Sequence, residues 1–219
     1  MRTCPREMTS ETPSARSGAR LRARSKKLSW LLRHGAVEAG VAMDAAGWVA
    51  VEDALRVVGL DRDALDEVVR ENDKRRLELD READRIRACQ GHSTGLPVTR
   101  EALEASWVPY AGPAPVWHGT FLEAVTSIAR EGITAQARTH VHLAPGTASV
   151  VGKRANVHVL LEVCPRRMAD AGEALHVAPN GVVLARRVPA GCVAGLRALT
   201  RRARAREDAL RALFTLPSR

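Results

Sequence analysis

Five stretches of the chain concentrate arginine, histidine and small polar residues of the kind that could meet a phosphate. In SKKLSWLLRHG, residues 25–35, Leu28, Leu31 and Leu32 recur at helical spacing. Arg33 and His34 therefore fall in the last turn of a short helix, with Gly35 beyond. Cations followed by glycine are also ordinary helix termination, and that reading stays open. In RIRACQGHS, residues 85–93, a strand period puts Arg85 and Arg87 on one face and Ile86 and Ala88 on the other. Outward arginines are commonly just solvated, but the donor-rich turn Gln90-Gly91-His92-Ser93 follows at once. In WHGT, Gly119 lets a backbone approach closely, Thr120 can bond a ligand or cap the next helix, and His118 could equally be structural. In RTHVHL, residues 138–143, Arg138, His140 and His142 share a strand face and make a row of anion donors. The two histidines could chelate a metal, but a third ligand is not evident. In VGKRA, residues 151–155, Lys153 and Arg154 adjoin a small-residue turn, or else occupy a helix surface.

The absences narrow the chemistry. Neither G-x-G-x-x-G nor G-x-x-x-x-G-K-[ST] occurs, so the common dinucleotide and P-loop cradles are not indicated. No carboxylate pair suggests a magnesium or acid–base centre, and no convincing nucleophilic triad stands out.

The elements that must position these residues fall into an α+β pattern. Residues 1–22, rich in Arg, Ser, Thr and Pro, read as a disordered basic extension. A helix over 25–36, a short extended piece at Trp48-Val49, a helix over Val51–Val58 ended by Gly59, and a helix capped by Asp61 or Asp63 follow. KRRLELD and RIRACQ then form a hairpin. Three helices and a hairpin suggest a winged-helix lobe over 23–94. Gly and Pro mark a linker at 95–115, with a short helix near Arg100–Ala105. Residues 116–197 alternate strands and helices: PVWHGT, the amphipathic FLEAVTSIAREGI stopped by Gly132, THVHLA, a short helix in TASVVGKRA, the buried-type strand VHVLLEV, and a hairpin turning at Asn180-Gly181. Residues 198–219 read as a basic helix or tail.

The 219 residues suit one large domain or two small ones, and 45% apolar content is enough for a core. The formal charge of +9 sits at the ends: residues 1–27 carry +6, 197–219 carry +5, and the rest −2. Basic ends favour polyanions or simply solubilise. The body must therefore bind an anion with a few placed arginines. Cys4, Cys89, Cys164 and Cys192 show neither C-x-x-C nor zinc-finger spacing, so a reduced, cytoplasmic protein without a metal site is expected. No apolar run is long enough to span a membrane, and no signal-peptide core is present.

The order and spacing of the motifs carry more than any one of them. Ser25-Lys26-x-Leu28-Ser29-x-x-Leu32-Arg33-His34, Gly47-Trp48-Val49, Asn72-Asp73-Lys74, Arg87-Ala88-x-Gln90-Gly91-His92-Ser93, His118-Gly119-Thr120, His140-Val141-His142-Leu143, Val151-Gly152-x-Arg154 and Asn180-Gly181-Val182 follow in series. Over about residues 23–195 the chain resembles the NAD-dependent RNA 2′-phosphotransferase family (KptA-like). The resemblance implies an N-terminal winged-helix lobe and a C-terminal ADP-ribosyltransferase-like lobe. It implies two steps: an internal RNA 2′-phosphate, typically from tRNA splicing, attacks NAD⁺ at C1″ and expels nicotinamide; the ribose 2″-hydroxyl then attacks that phosphate. The products are ADP-ribose 1″,2″-cyclic phosphate and 2′-hydroxyl RNA.

By the same resemblance the catalytic set maps to Arg33, His34, Arg87 and Arg154. The NAD⁺ pocket maps to His118, Gly119 and Thr120, with Ser93, Arg138 and His140 nearby. NAD⁺ is consumed, no metal is required, and a monomer is the simplest expectation. Guanidinium suits this chemistry because it stays charged and grips phosphate oxygens in a fork. The chain departs from the family pattern at Trp117, where Tyr usually precedes HGT, and at Ala155-Asn156, where His-Gly usually follows. Two other functions fit the same motifs: ADP-ribosylation of terminal nucleic-acid phosphates, and non-catalytic nucleic-acid binding by a winged helix.

Overall fold

The computed structural model describes residues 13–72, 74–149, 151–152 and 156–218, and within them the chain builds a mixed α+β fold with several small antiparallel sheets. Helix α1 (Pro13–Trp30) runs into a single π turn, Leu31–Gly35. Residues 13–22, expected within the extension, thus form the first turns of α1; residues 1–12 lie outside the described residues. Strand β1 (Val49–Ala50), helices α2 (Val51–Val58) and α3 (Arg62–Arg70), and the hairpin β2 (Leu77–Asp80) and β3 (Arg85–Ala88) follow. The end signals act as chemistry requires. Gly59 takes a left-handed φ of 69° after α2, and the Asp61 carboxylate accepts the Ala64 amide at 2.8 Å to start α3.

The first three strands form a sheet of order β1-β3-β2, and its apolar face packs on the helices. Leu28, Leu31, Leu32, Leu65 and Ile86 are essentially fully buried in this core. A second, larger core lies beyond residue 115. Its central strand β8 (Val159–Val163) pairs with both β5 (Val116–Thr120) and β12 (Val193–Ala198), which suits the run VLLEV, apolar and buried except at the half-buried Glu162.

Beside it, β4 (Val108–Pro109), β9 (His176–Val177), β10 (Val183–Ala185) and β7 (Val141–Leu143) make a four-stranded sheet, with Gly181 at φ 78° turning the β9–β10 hairpin. Strands β6 (Ile133–Thr134) and β11 (Arg187–Val188) pair separately. Helices α4 (Arg100–Ala105), α5 (Leu122–Glu131) and α6 (Pro165–Asp170) lie between strands. A third apolar cluster, including Leu103, Trp107, Val182 and Leu184, packs α4 against the four-stranded sheet.

Two expectations are corrected. The described residues of 147–152 form turns and bends, not a helix, and Gly152 sits at φ 76°, where its absent Cβ would meet the Leu143 carbonyl oxygen at 2.2 Å. The basic C-terminal stretch is two short helices, α7 (Arg201–Arg204) and α8 (Glu207–Ala212). Leu210 is buried in the larger core, and Arg211 Nη1 donates to the Leu196 carbonyl at 3.0 Å, so this end is docked. Among the described residues no helix is long and apolar enough to cross a membrane.

Candidate functional site

The π turn sets the direction of the first two functional side chains. Leu31 and Leu32 are anchored in the core, and widening the turn lets Arg33 and His34 follow at a new angle, as such turns often do at sites. Gly35 does not cap the helix: Ala36 remains right-handed at φ −60°. Gly35 is there because a Cβ would lie 2.3 Å from Cζ3 of Trp30. The chain reverses later, at Gly40, where Val41 donates to the Ala36 carbonyl at 2.8 Å. The Ser93 amide donates to the Arg33 carbonyl at 2.9 Å, and the Ser93 hydroxyl lies 2.5 Å from His34 Nδ1. The Q-G-H-S turn is thereby tied to the π turn.

A cavity of about 580 Å³ opens between the two cores. One wall comes from the first part of the chain, with Arg33, Lys74, Arg76 and Gln90. The other carries His118-Gly119-Thr120, Arg138, His140 and His142, with Gly152 and Asn180. Arg33 Nε and Nη2 are buried without a hydrogen-bond partner among the described residues. Burial, and then repulsion from Arg76 and Arg138, pull the Arg33 pKa down to about 10. It stays charged at neutral pH, in a place that disfavours charge. Buried cation donors without an acceptor mark a site that awaits an anion.

Burial favours the neutral form of His140 and of His142, so both act as neutral donors and acceptors. Burial first, then Arg138 and Arg33, hold His142 down to about 3. Its Nε2 donates to Gln90 Oε1 at 2.7 Å, and its Nδ1 faces Arg138 Nη1 at 3.4 Å. His140 Nε2 donates to Glu104 Oε1 at 2.9 Å, and its buried Nδ1 has no partner among the described residues. Glu104 is held ionised, down to about 2, chiefly by hydrogen bonds from Arg186. His140 stands edge-on to Trp107, with centroids 4.8 Å apart. The two histidines thus engage different groups, and among the described residues no cluster of three or more His, Cys, Asp or Glu side chains could hold a metal. His118 Nδ1 lies 3.2 Å from the His142 carbonyl oxygen, which fixes the HGT segment on β7.

The structure therefore gathers Arg33, His118, Gly119, Thr120, Arg138 and His140 around one cavity; His34, next to Arg33 in the chain, and Ser93 do not line it but are bonded to each other. Arg87 is not brought there. It is only 4% exposed, donating from Nε to Glu78 Oε2 at 2.7 Å and from Nη1 to Ser106 Oγ at 2.9 Å, with its guanidinium 4.4 Å over the Trp48 ring. The outer face of β3 is covered, so strand alternation gave the right face and the wrong surroundings. Arg76 occupies the cavity wall instead. Its only sequence signal is the basic run Lys74-Arg75-Arg76 before the hairpin. Arg154 lies outside the described residues.

The combination is a cationic cavity between two subcores, lined by arginines and neutral polar groups suited to an anion. A sequence model of the RNA 2′-phosphotransferase, Tpt1/KptA family matches residues 19–187. The chain is 41% identical over 180 residues to a probable RNA 2′-phosphotransferase of Pseudomonas savastanoi pv. phaseolicola, covering 79% of this chain and 93% of that one. It is 40% identical to a probable RNA 2′-phosphotransferase of Burkholderia lata (76% and 86% covered) and 39% identical to one of Streptomyces griseus (75% and 91% covered). The chain belongs to the RNA 2′-phosphotransferase family.

Proposed function

We propose that this protein removes an internal 2′-phosphate from RNA by transferring it to NAD⁺. Nicotinamide, ADP-ribose 1″,2″-cyclic phosphate and 2′-hydroxyl RNA are the products. The observation that carries the reading is Arg33: two buried donors lack a partner among the described residues, in a cavity shared with Arg76 and Arg138. The arrangement of α1 to α3 against the β1-β3-β2 sheet supports a winged-helix reading of the first part. The HGT strand in the second part supports an ADP-ribosyltransferase-like reading.

In the first step the RNA 2′-phosphate attacks C1″ of the nicotinamide ribose, and the glycosidic bond to nicotinamide breaks. Bringing that phosphate beside the NAD⁺ pyrophosphate costs repulsion, which Arg33, Arg76 and Arg138 offset. The His118–Thr120 segment and His140 offer backbone approach and neutral polar atoms to the dinucleotide. In the second step the ribose 2″-hydroxyl loses its proton to solvent and attacks phosphorus, and the RNA 2′-oxygen leaves, taking up a proton. Arginine clamps stabilise the charge that gathers on the phosphoryl oxygens. His34 is the proton donor in this scheme. Burial, Arg138 and Arg33 lower its pKa in the free protein, and an arriving phosphate dianion raises it. Substrate groups make both attacks, so no activated protein nucleophile is needed. Arg154, two residues beyond Gly152, supplies a further cation by family resemblance.

The test is incubation of an oligoribonucleotide carrying one internal 2′-phosphate with and without NAD⁺. NAD⁺-dependent release of ADP-ribose cyclic phosphate is expected. Phosphate removal that ignores NAD⁺ contradicts the mechanism, and no removal at all contradicts the function.

A further inference from the structure

We infer that the exposed ridge Arg22–Lys26–Trp30–His34 is a docking track for the single strand of RNA that flanks the reacting phosphate. The inference rests on the RNA reading above and adds the surface that holds the polymer. These four residues recur every four positions along α1 and its π turn, and all four are exposed. Residues four apart on a helix stack on one face, at about 6 Å per step. The sequence from Pro13 to Gly35 contains no Asp or Glu, and neither Arg22 nor Lys26 forms an ion pair among the described residues. The row runs directly into His34, which is bonded to Ser93 beside Arg33. Glu38, four residues beyond, is acidic and marks its end.

Trp30 is the informative member. Aromatic residues are only 3% of the chain, yet this indole is 47% exposed. Its ring is braced against Gly35, where even a methyl group would collide at 2.3 Å. A ring in close contact with a glycine, and still 47% exposed, is preorganised for stacking. Every nucleobase offers a π face, and the cations Lys26 and Arg22 one and two turns before the ring suit the phosphates between bases. One indole beside two cations offers too little apolar area for membrane insertion, whereas a stacked base with neighbouring phosphates fits both chemistries.

The experiment follows tryptophan fluorescence while a short oligouridylate bearing one internal 2′-phosphate is added without NAD⁺. NAD⁺-dependent turnover is then measured on the same RNA. Trp30→Ala is expected to weaken binding and raise KM by about 5- to 100-fold, with Trp30→Phe in between. Quenching should disappear in both variants. The double variant Arg22→Ala/Lys26→Ala should flatten the dependence of log affinity on log salt by about 1.4. Unchanged melting temperatures show that these surface changes leave the fold intact. Wild-type affinity and KM in Trp30→Ala overturn the proposal, as does equal quenching by polyglutamate. Binding with Trp30 quenching but no NAD⁺-dependent turnover would overturn the catalytic reading while leaving the track standing.

Discussion

Arg87 and Glu78 face each other across the β2–β3 hairpin as register partners, joined by a 2.7 Å ion pair, and the arginine is almost wholly enclosed. The pair holds the hairpin against the Ala46 carbonyl and Ser106, to both of which Arg87 also donates. Arg87→Ala should therefore cost about 2 kcal/mol of stability by stranding these partners. Arg76→Ala should leave stability nearly unchanged while lowering turnover by about 100-fold or more. Thermal melts and steady-state assays on both variants separate the roles. A stable, inactive Arg87→Ala would return that residue to the site.

His34→Ala and Arg154→Ala should slow the second step more than the first. The expected sign is accumulation of 2′-phospho-ADP-ribosylated RNA, seen as a slower band on a denaturing gel. Turnover like wild type in either variant removes the assigned role.

Arg33 is a charge kept in an unfavourable place until an anion arrives. In phosphate-free buffer Arg33→Met should melt no lower than wild type, and roughly 1 kcal/mol more stably, because an unpaired charge is removed. Inorganic pyrophosphate should raise the wild-type melting temperature, by about 1.4 kcal/mol of stability at ten times its Kd, and leave Arg33→Met unmoved. A variant that melts well below wild type in that buffer contradicts the account.

Acid should loosen the protein through its buried histidines. Burial holds both His92 and His142 down to about 3, helped by Arg33 and then Arg87 at His92 and by Arg138 and then Arg33 at His142. The unfolded chain takes up these protons near pH 6.5 and the folded chain does not. Stability is thus fully present above pH 6.5 and falls as pH drops towards 3, by up to about 1.4 kcal/mol per pH unit for each group. Urea midpoints at pH 7.5 and 5.5 measure the fall, and His142→Gln should reduce it. Equal midpoints at the two pH values rule the effect out.

Glu104 links Arg186 to His140, through a 2.6 Å bond to the first and a 2.9 Å bond to the second. The carboxylate keeps the proton on His140 Nε2 and leaves Nδ1 as an acceptor at the cavity. Glu104→Gln should raise the KM for NAD⁺ roughly tenfold, with kcat changed less. A change confined to kcat contradicts a binding role.

Local physics made much of the fold legible. The α2 stop at Gly59, the Asp61 cap, the β2–β3 hairpin and the turn at Asn180-Gly181 all follow from the backbone needs of neighbouring residues. Of the assigned positions, Arg33, His118, Gly119, Thr120, Arg138 and His140 line one cavity. Two elements were misjudged where tertiary contact outweighs propensity: Gly35, set by the Trp30 ring rather than by a cap, and the segment around Gly152, set by its approach to Leu143.

The sequence by itself determined the residue types, their order and the faces on which they lie, because capping, turn chemistry and side-chain alternation act over a few residues. Only the tertiary structure decided which arginine meets the cavity. Strand alternation says that Arg87 points away from Ile86, but the loop at Ala46 and the end of α4 cover that face and pair the guanidinium. Arg76, one residue before β2, is left to stand with Arg33. Long-range packing chooses between equivalent charges, and no local pattern encodes that choice.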